Sequence, residues 1–246
     1  MKRFPLITAH TGCMGQGEHS LESLEAALKL GVDVYEDDIR VTRDRVPVFA
    51  HDDKILLPGN QSASLAALTL QELNAALTIP ILQLEDVLNR IRNAGRVMNL
   101  DIKTDDALEP TAALVKRLGM DEQVFLSGCH LQRAERAKRS GIVLRKLLNV
   151  DPDSLRYSSY EEAARQACAD ANRTGCFGLN VPYQAVKPEL LDTAQAAGLR
   201  VYVWTVAEAE EMRRLAGWGV DSITTRDPAK LIAIREEWFA ENNSRG

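Results

Sequence analysis

Short apolar runs alternate with amphipathic stretches along the whole chain, and this alternation limits the fold more than any single motif does. Leu6–His10 reads as a strand, and Leu21–Leu30 as a helix that ends at Gly31. Residues 32–41 and 46–52 are extended by pattern. Residues 81–94 place Leu84, Val87, Leu88 and Ile91 at helical spacing, and 96–103 form a strand. Helices are then predicted over 108–118, up to Ser140, and over 160–172, 188–197, 208–216 and 228–239. The strands between them are 123–127, 142–150, 176–182, 199–206 and 220–225. Gly31, Gly95, Gly141, Gly198 and Gly219 each stand between a helical pattern and the next strand, where a left-handed C-cap residue is wanted.

Strands alternating with helices imply βαβ units and a parallel sheet. Eight units fit the 246 residues, because one (β/α)8 TIM barrel takes roughly 250. A doubly wound open sheet is the rival, but it would carry a Gly-rich phosphate loop after an early strand, and none is present. The expected fold is therefore α/β: a single (β/α)8 barrel domain over 1–246, with a short insertion after the second strand.

Composition narrows the function. Hydrophobic residues make up 45% and charged residues 26%, the balance of a globular chain rather than a disordered one. Only 5% are aromatic, so the core is expected to be Leu, Val, Ile and Ala. A net charge of −5 argues against a nucleic-acid binder, which would show a basic face. Cys13, Cys129, Cys168 and Cys176 form no C-x-x-C pair and fit reduced thiols. No signal-peptide h-region follows Lys2 and Arg3, and no stretch has the length and apolarity of a membrane span. The expected location is the cytoplasm.

Reactive residues of such barrels gather at the C-terminal ends of the strands. His10 ends the first strand, Glu36 and Asp38 lie near the end of the second, and Asp101 and Lys103 near the end of the third. Residues two apart on a strand share a face, so Glu36 and Asp38 project together, as do Asp101 and Lys103. Three carboxylates would repel one another if buried alone, and a hard divalent cation such as Mg²⁺ or Ca²⁺ removes that cost. Asp37 and Asp44 are expected to be solvated turn residues. His19 and His130, at or near helix starts, are expected to be structural.

At these positions the sequence resembles the glycerophosphodiester phosphodiesterase family. The family's His-Arg-Gly reads His10-Thr11-Gly12, and its Pro-Glu-Asn-Thr segment reads Gly17-Glu18-His19-Ser20. Its Glu-x-Asp is Glu36-Asp37-Asp38, its His-Asp is His51-Asp52, and its Glu-x-Lys is Asp101-Ile102-Lys103. Ile79-Pro80-Ile81-Leu82, Val203-Trp204-Thr205-Val206 and the segment from Gly219 to Thr225 match in the same order. The resemblance implies metal-dependent hydrolysis of a glycerophosphodiester. It also implies a cation on Glu36, Asp38 and Asp101, and His10 and His51 as the acid/base pair. Lys103 would meet the substrate, and so would position 11; Trp204, at the end of the seventh strand, is expected either to wall the glycerol or leaving group or to be ordinary barrel packing.

Two departures stand out. Thr11 replaces the family's arginine, so the three carboxylates, the cation and Lys103 cancel and leave nothing for an anionic phosphodiester. Arg40, Arg43 and His19 are the candidate substitutes. Asp101 replaces a glutamate and is one methylene shorter. Competing expectations are a non-catalytic barrel that binds a phosphorylated polyol, a phosphodiesterase for a different diester, and a lyase or aldolase using Lys103 as a Schiff base.

Overall fold

The structure, a computed structural model, describes residues 3–155 and 159–243. Its eight parallel strands are β1 (Leu6–His10), β2 (Val34–Val41), β6 (Val97–Ile102), β7 (Val124–Cys129), β8 (Lys146–Asn149), β9 (Gly178–Pro182), β10 (Arg200–Trp204) and β11 (Ser222–Thr225). They close into a barrel because β1 pairs with both β2 and β11. Around it lie α1 (Leu21–Leu30), α3 (Leu84–Ala94), α4 (Leu108–Arg117), α5 (Leu131–Arg139), α6 (Tyr160–Thr174), α7 (Pro188–Ala196), α8 (Ala209–Trp218) and α9 (Pro228–Asn243). This is the expected (β/α)8 barrel. The five glycines expected to be left-handed all have positive φ.

The insertion after β2 holds more structure than its sequence suggests. β3 (Pro47–Phe49) runs antiparallel to β2, followed by a hairpin of β4 (Lys54–Leu57) and β5 (Gln61–Ser64), and then α2 (Leu70–Ala76). The helix starts on a capping box. Thr69 Oγ1 accepts from Glu72 N–H, and the Glu72 carboxylate accepts from Thr69 N–H. Val48, Ala50, Leu65 and Leu73 form a small core of their own beneath it.

The barrel interior is graded from bottom to top. Val34, Phe125, Leu147 and Tyr202 fill the lower end. The rings of Phe125, Phe177 and Tyr202 meet edge-on at 5.5 to 5.7 Å. Higher up the layer becomes polar: the Thr8 and Ser222 hydroxyls are 2.8 Å apart, and Asn180 Nδ2 donates to Asn149 Oδ1 at 3.2 Å. The inward face of β2 climbs through this gradient as Val34, Glu36 and Asp38. Among the described residues no helix is long and apolar enough to cross a membrane.

The plug yields a stability prediction. Phe125→Ala should cost about 3–5 kcal/mol in urea unfolding, whereas Ile79→Ala, at a side chain that is 79% exposed, should stay within about 0.5 kcal/mol.

Candidate active site

Strand register assembles the cleft. His10 lies beside Glu36, Glu36 beside Asn99, Asp38 beside Asp101, and Asp101 beside Ser127. All of them line a cavity of about 490 Å³ at the C-terminal end of the barrel, together with His51, Lys103 and Trp204. Glu36, Asp38 and Asp101 each present an oxygen within 4.8 Å of the others.

Only part of this negative charge is met by the protein. Lys103 Nζ lies 2.8 Å from Asp38 Oδ1 and 2.5 Å from Asp101 Oδ2. The Ser127 hydroxyl donates to Asp101 Oδ1 at 2.9 Å. Among the described residues, Glu36 Oε2 is buried with no hydrogen-bond partner, and so is its register neighbour Asn99 Oδ1. Burial, then the Asp38 and Asp101 carboxylates, push the Glu36 carboxyl well above the ordinary glutamate range. Burial opposes a charge on Lys103, but Asp101 and Asp38 outweigh it and hold the ammonium above the ordinary lysine range. With its ammonium paired to two carboxylates, Lys103 is placed as an ion-pair bridge and not as a free amine poised to form a Schiff base.

An orphaned carboxylate oxygen within an oxygen-donor cluster fits a divalent cation. Both Asp101 oxygens are already engaged, so it is the most committed of the three, in keeping with its shorter side chain. The strand beside it must come close. A Cβ on Gly128 would lie 2.6 Å from Asp101 Oδ1 and 2.5 Å from the Ile102 oxygen, and the glycine has φ +69°.

The two histidines are held alike. His10 Nδ1 lies 2.7 Å from the Thr11 carbonyl oxygen, which can only accept, so Nδ1 carries the proton. His51 Nδ1 lies 2.9 Å from Asp52 Oδ1, again an acceptor. Each ring is thereby left with Nε2 as its unanchored nitrogen, and that of His10 sits 3.7 Å from Glu36 Oε2. His51 follows β3, and its loop is tied down on both sides. Its N–H donates to His19 Nε2 at 3.1 Å, Arg40 Nε donates to its carbonyl at 2.8 Å, and Ala50 N–H donates to the Asp38 carbonyl.

Several expectations change here. Asp37 is not a solvated turn residue. It is 1% exposed, on the helix-facing side of β2, and it accepts from the Tyr35 hydroxyl and from Asp38 N–H. His19 Nδ1 lies 2.6 Å from Asp37 Oδ1. Burial raises the Asp37 carboxyl pKa, an effect His19 only partly offsets. Burial also opposes charge on His19, yet Asp37 raises its imidazole pKa. Both shifts mean that the pair holds its proton to higher pH. His19 thus links a buried carboxylate to the His51 backbone.

Thr11 is fully buried and does not line the cleft. Its Oγ1 accepts from His19 N–H at 2.8 Å. Arg40 donates to the His51 carbonyl and Arg43 binds Glu72 at 2.9 Å, and neither side chain lines the cleft where the missing arginine would act. Asp44 is exposed and accepts from Thr42 and from Leu70 N–H, as a turn residue should. His130 is the N-cap of α5, with Nδ1 accepting from Arg133 N–H, and its ring also borders the cleft. Trp204 stands 37% exposed at the rim and is not packed inside the barrel. Two lining cations were not singled out from the sequence. Arg133 clamps Asp105 and the Ile102 and Gly128 carbonyls, and Arg226 follows β11 directly.

These features define a (β/α)8 barrel with an acidic, cation-competent cleft at its catalytic end. The chain belongs to the glycerophosphoryl diester phosphodiesterase family, whose sequence pattern matches residues 2–230. It is 25% identical over 247 residues to a glycerophosphodiester phosphodiesterase of Caldanaerobacter subterraneus, covering 93% of this chain and 97% of the relative. It is 24% identical to a Bacillus subtilis protein of the same name, covering 94% and 86%. In fold it is similar to an Oleispira antarctica phosphodiesterase solved with the product sn-glycerol-3-phosphate. The TM-score is 0.77 at 21% identity, over 95% of this chain and 97% of that one.

The Asp37–His19 link predicts an effect out of proportion to its distance from the cleft. Asp37→Ala should cost about 3–5 kcal/mol in chemical unfolding, the penalty for stranding one partner of a buried pair.

Proposed function

We propose that this chain hydrolyses a glycerophosphodiester to glycerol phosphate and an alcohol, with Glu36, Asp38 and Asp101 holding a divalent cation and His10 and His51 moving protons. The observation that carries this reading is the buried, unpartnered Glu36 Oε2 in a three-carboxylate cluster, with a histidine of free Nε2 3.7 Å away. When bound, Mg²⁺ or Ca²⁺ would neutralise charge on the phosphoryl oxygens.

The side chains of the chain do the rest. One histidine takes the proton of the attacking water or neighbouring hydroxyl, and the other protonates the departing alkoxide. Imidazole suits both tasks because its two protonation states interchange near neutrality. The Nδ1 bonds to the Thr11 carbonyl and to Asp52 fix each ring so that Nε2 is the nitrogen available. Lys103 keeps Asp38 and Asp101 in place and adds positive charge to the cleft floor. Trp204 gives the glycerol or leaving group an apolar wall at the rim. Four buried, unpaired cysteines support a reducing, cytoplasmic setting.

The test is release of glycerol 3-phosphate from a panel of glycerophosphodiesters. EDTA should abolish it and added Mg²⁺ or Ca²⁺ restore it, and His10→Ala or His51→Ala should each lower kcat by roughly 10²–10⁴. Activity that survives EDTA, or is untouched in His51→Ala, would overturn the mechanism. The cation should also raise the melting temperature, since saturation at 100 times Kd adds about 2.7 kcal/mol of stability, and Glu36→Gln should lose that increment.

A further inference from the structure

Among the described residues, three cationic side chains line the cleft: Lys103, Arg133 and Arg226. Lys103 is committed to Asp38 and Asp101. Arg133 is committed to Asp105 and to the carbonyls of Ile102 and Gly128. Neither can turn to an incoming anion without stranding buried acceptors. Arg226 is different. Its backbone is fixed by Met14 N–H donating to its carbonyl at 2.9 Å, but its only carboxylate partner among the described residues is Glu18. Both members of that pair are about half exposed, at 56% and 45%, and such a pair is worth only about 0–1 kcal/mol.

The position of Arg226 is also specific. It lies one residue beyond the Ala9–Thr225 register pair, on the strand next to β1. Its Nε is 3.4 Å from His10 Nδ1. Because Nδ1 already gives its proton to the Thr11 carbonyl, this contact is a packing neighbour and not a donated bond, so Nε is free to donate elsewhere. With Glu36, Asp38 and Asp101 balanced by a dication and Lys103, Arg226 is the charge left over for a monoanion.

We propose that Arg226 is the anion-binding residue of the cleft: its guanidinium takes the phosphoryl oxygens of the substrate on the His10 side, and Glu18 is its exchangeable counter-ion. A planar guanidinium suits this task, because it can make two parallel bonds to one phosphoryl group. The proposal rests on the substrate being a phosphodiester.

The test is calorimetric titration of the Mg²⁺-loaded protein with glycerol 3-phosphate, with neutral glycerol as control, alongside KM for a glycerophosphodiester. Arg226→Gln should weaken glycerol 3-phosphate binding by about tenfold or more, the scale of one charge-assisted bond, and leave glycerol unchanged. Arg226→Lys should recover part of the loss, which a folding defect would not allow. Glu18→Gln should tighten binding several-fold by freeing the guanidinium. Binding of glycerol 3-phosphate within twofold of wild type in Arg226→Gln would overturn the inference, as would an equal loss in Arg226→Gln and Arg226→Lys. If wild type binds glycerol 3-phosphate through Arg226 yet hydrolyses no glycerophosphodiester, the proposed reaction fails and the anion site stands. Normal hydrolysis with KM unchanged in Arg226→Gln overturns the anion site alone.

Discussion

Holding three carboxylates within 4.8 Å of one another at the mouth of a barrel is the problem around which the rest of the site is arranged. Two unit charges 4 Å apart repel by about 4 kcal/mol at an effective dielectric constant of 20, so the cluster needs internal compensation. Lys103 supplies one positive charge and bridges Asp38 on β2 to Asp101 on β6, residues that the strand register sets side by side. Ser127 adds a donor to Asp101. Among the described residues no donor is left for Glu36, whose carboxyl is pushed well above its ordinary range by burial and its neighbours. Two negative charges remain uncompensated, the number that one divalent cation carries. The same arithmetic fixes Lys103 as an ammonium, which separates this cleft from an imine-forming one.

β2 carries charge on both faces, which is unusual for a strand buried on both sides. Its inward face ends in Glu36 and Asp38, and its outward face carries Tyr35 and Asp37 under the helices. Asp37 is tolerated because His19, Tyr35 and the Asp38 N–H all point at it. Through His19 that neutralised carboxylate reaches the His51 backbone, and through Ala50 the Asp38 carbonyl does the same. An exposed histidine on a loop is thereby tied to the strand that holds the carboxylates. Its backbone is anchored from two directions, and its ring is held by Asp52.

The barrel was legible because the hydrophobic period switches between two and 3.6 residues along the chain, five of the boundaries are marked by glycine, and eight strand–helix units leave little choice of architecture. Strand ends were overread where flanking apolar residues do not pair. Residues 142–150 narrow to Lys146–Asn149, and Val143 is 92% exposed. The β4–β5 hairpin escaped notice because its strands are short, with Gln61 and Ser62 exposed to solvent, and show no clear alternation. Helix α2 was readable in hindsight from Thr69-Leu70-Gln71-Glu72, the spacing of a capping box. The site carboxylates stood out as charges at strand ends. Asp37 did not, because the same period that sends Glu36 inward sends its neighbour under the helices, where sequence gives no sign of a partner 18 residues away.

The missing arginine at position 11 shows why proximity in sequence misleads in a closed barrel. On and just after the strand that carries Glu36 and Asp38, Arg40 and Arg43 turn away to the His51 carbonyl and to Glu72. Barrel closure makes the ends of the first and last strands neighbours, so Arg226 faces His10 across 216 residues of chain. Thr11 is buried, and its hydroxyl accepts from the N–H of His19, whose ring in turn accepts from the His51 N–H. Arg226, just past the end of β11, sits beside His10 at the end of β1. Residue 11 can then serve packing while residue 226 serves charge. The constraint acts on positions around the rim, and the strand that fills each of them is free to change.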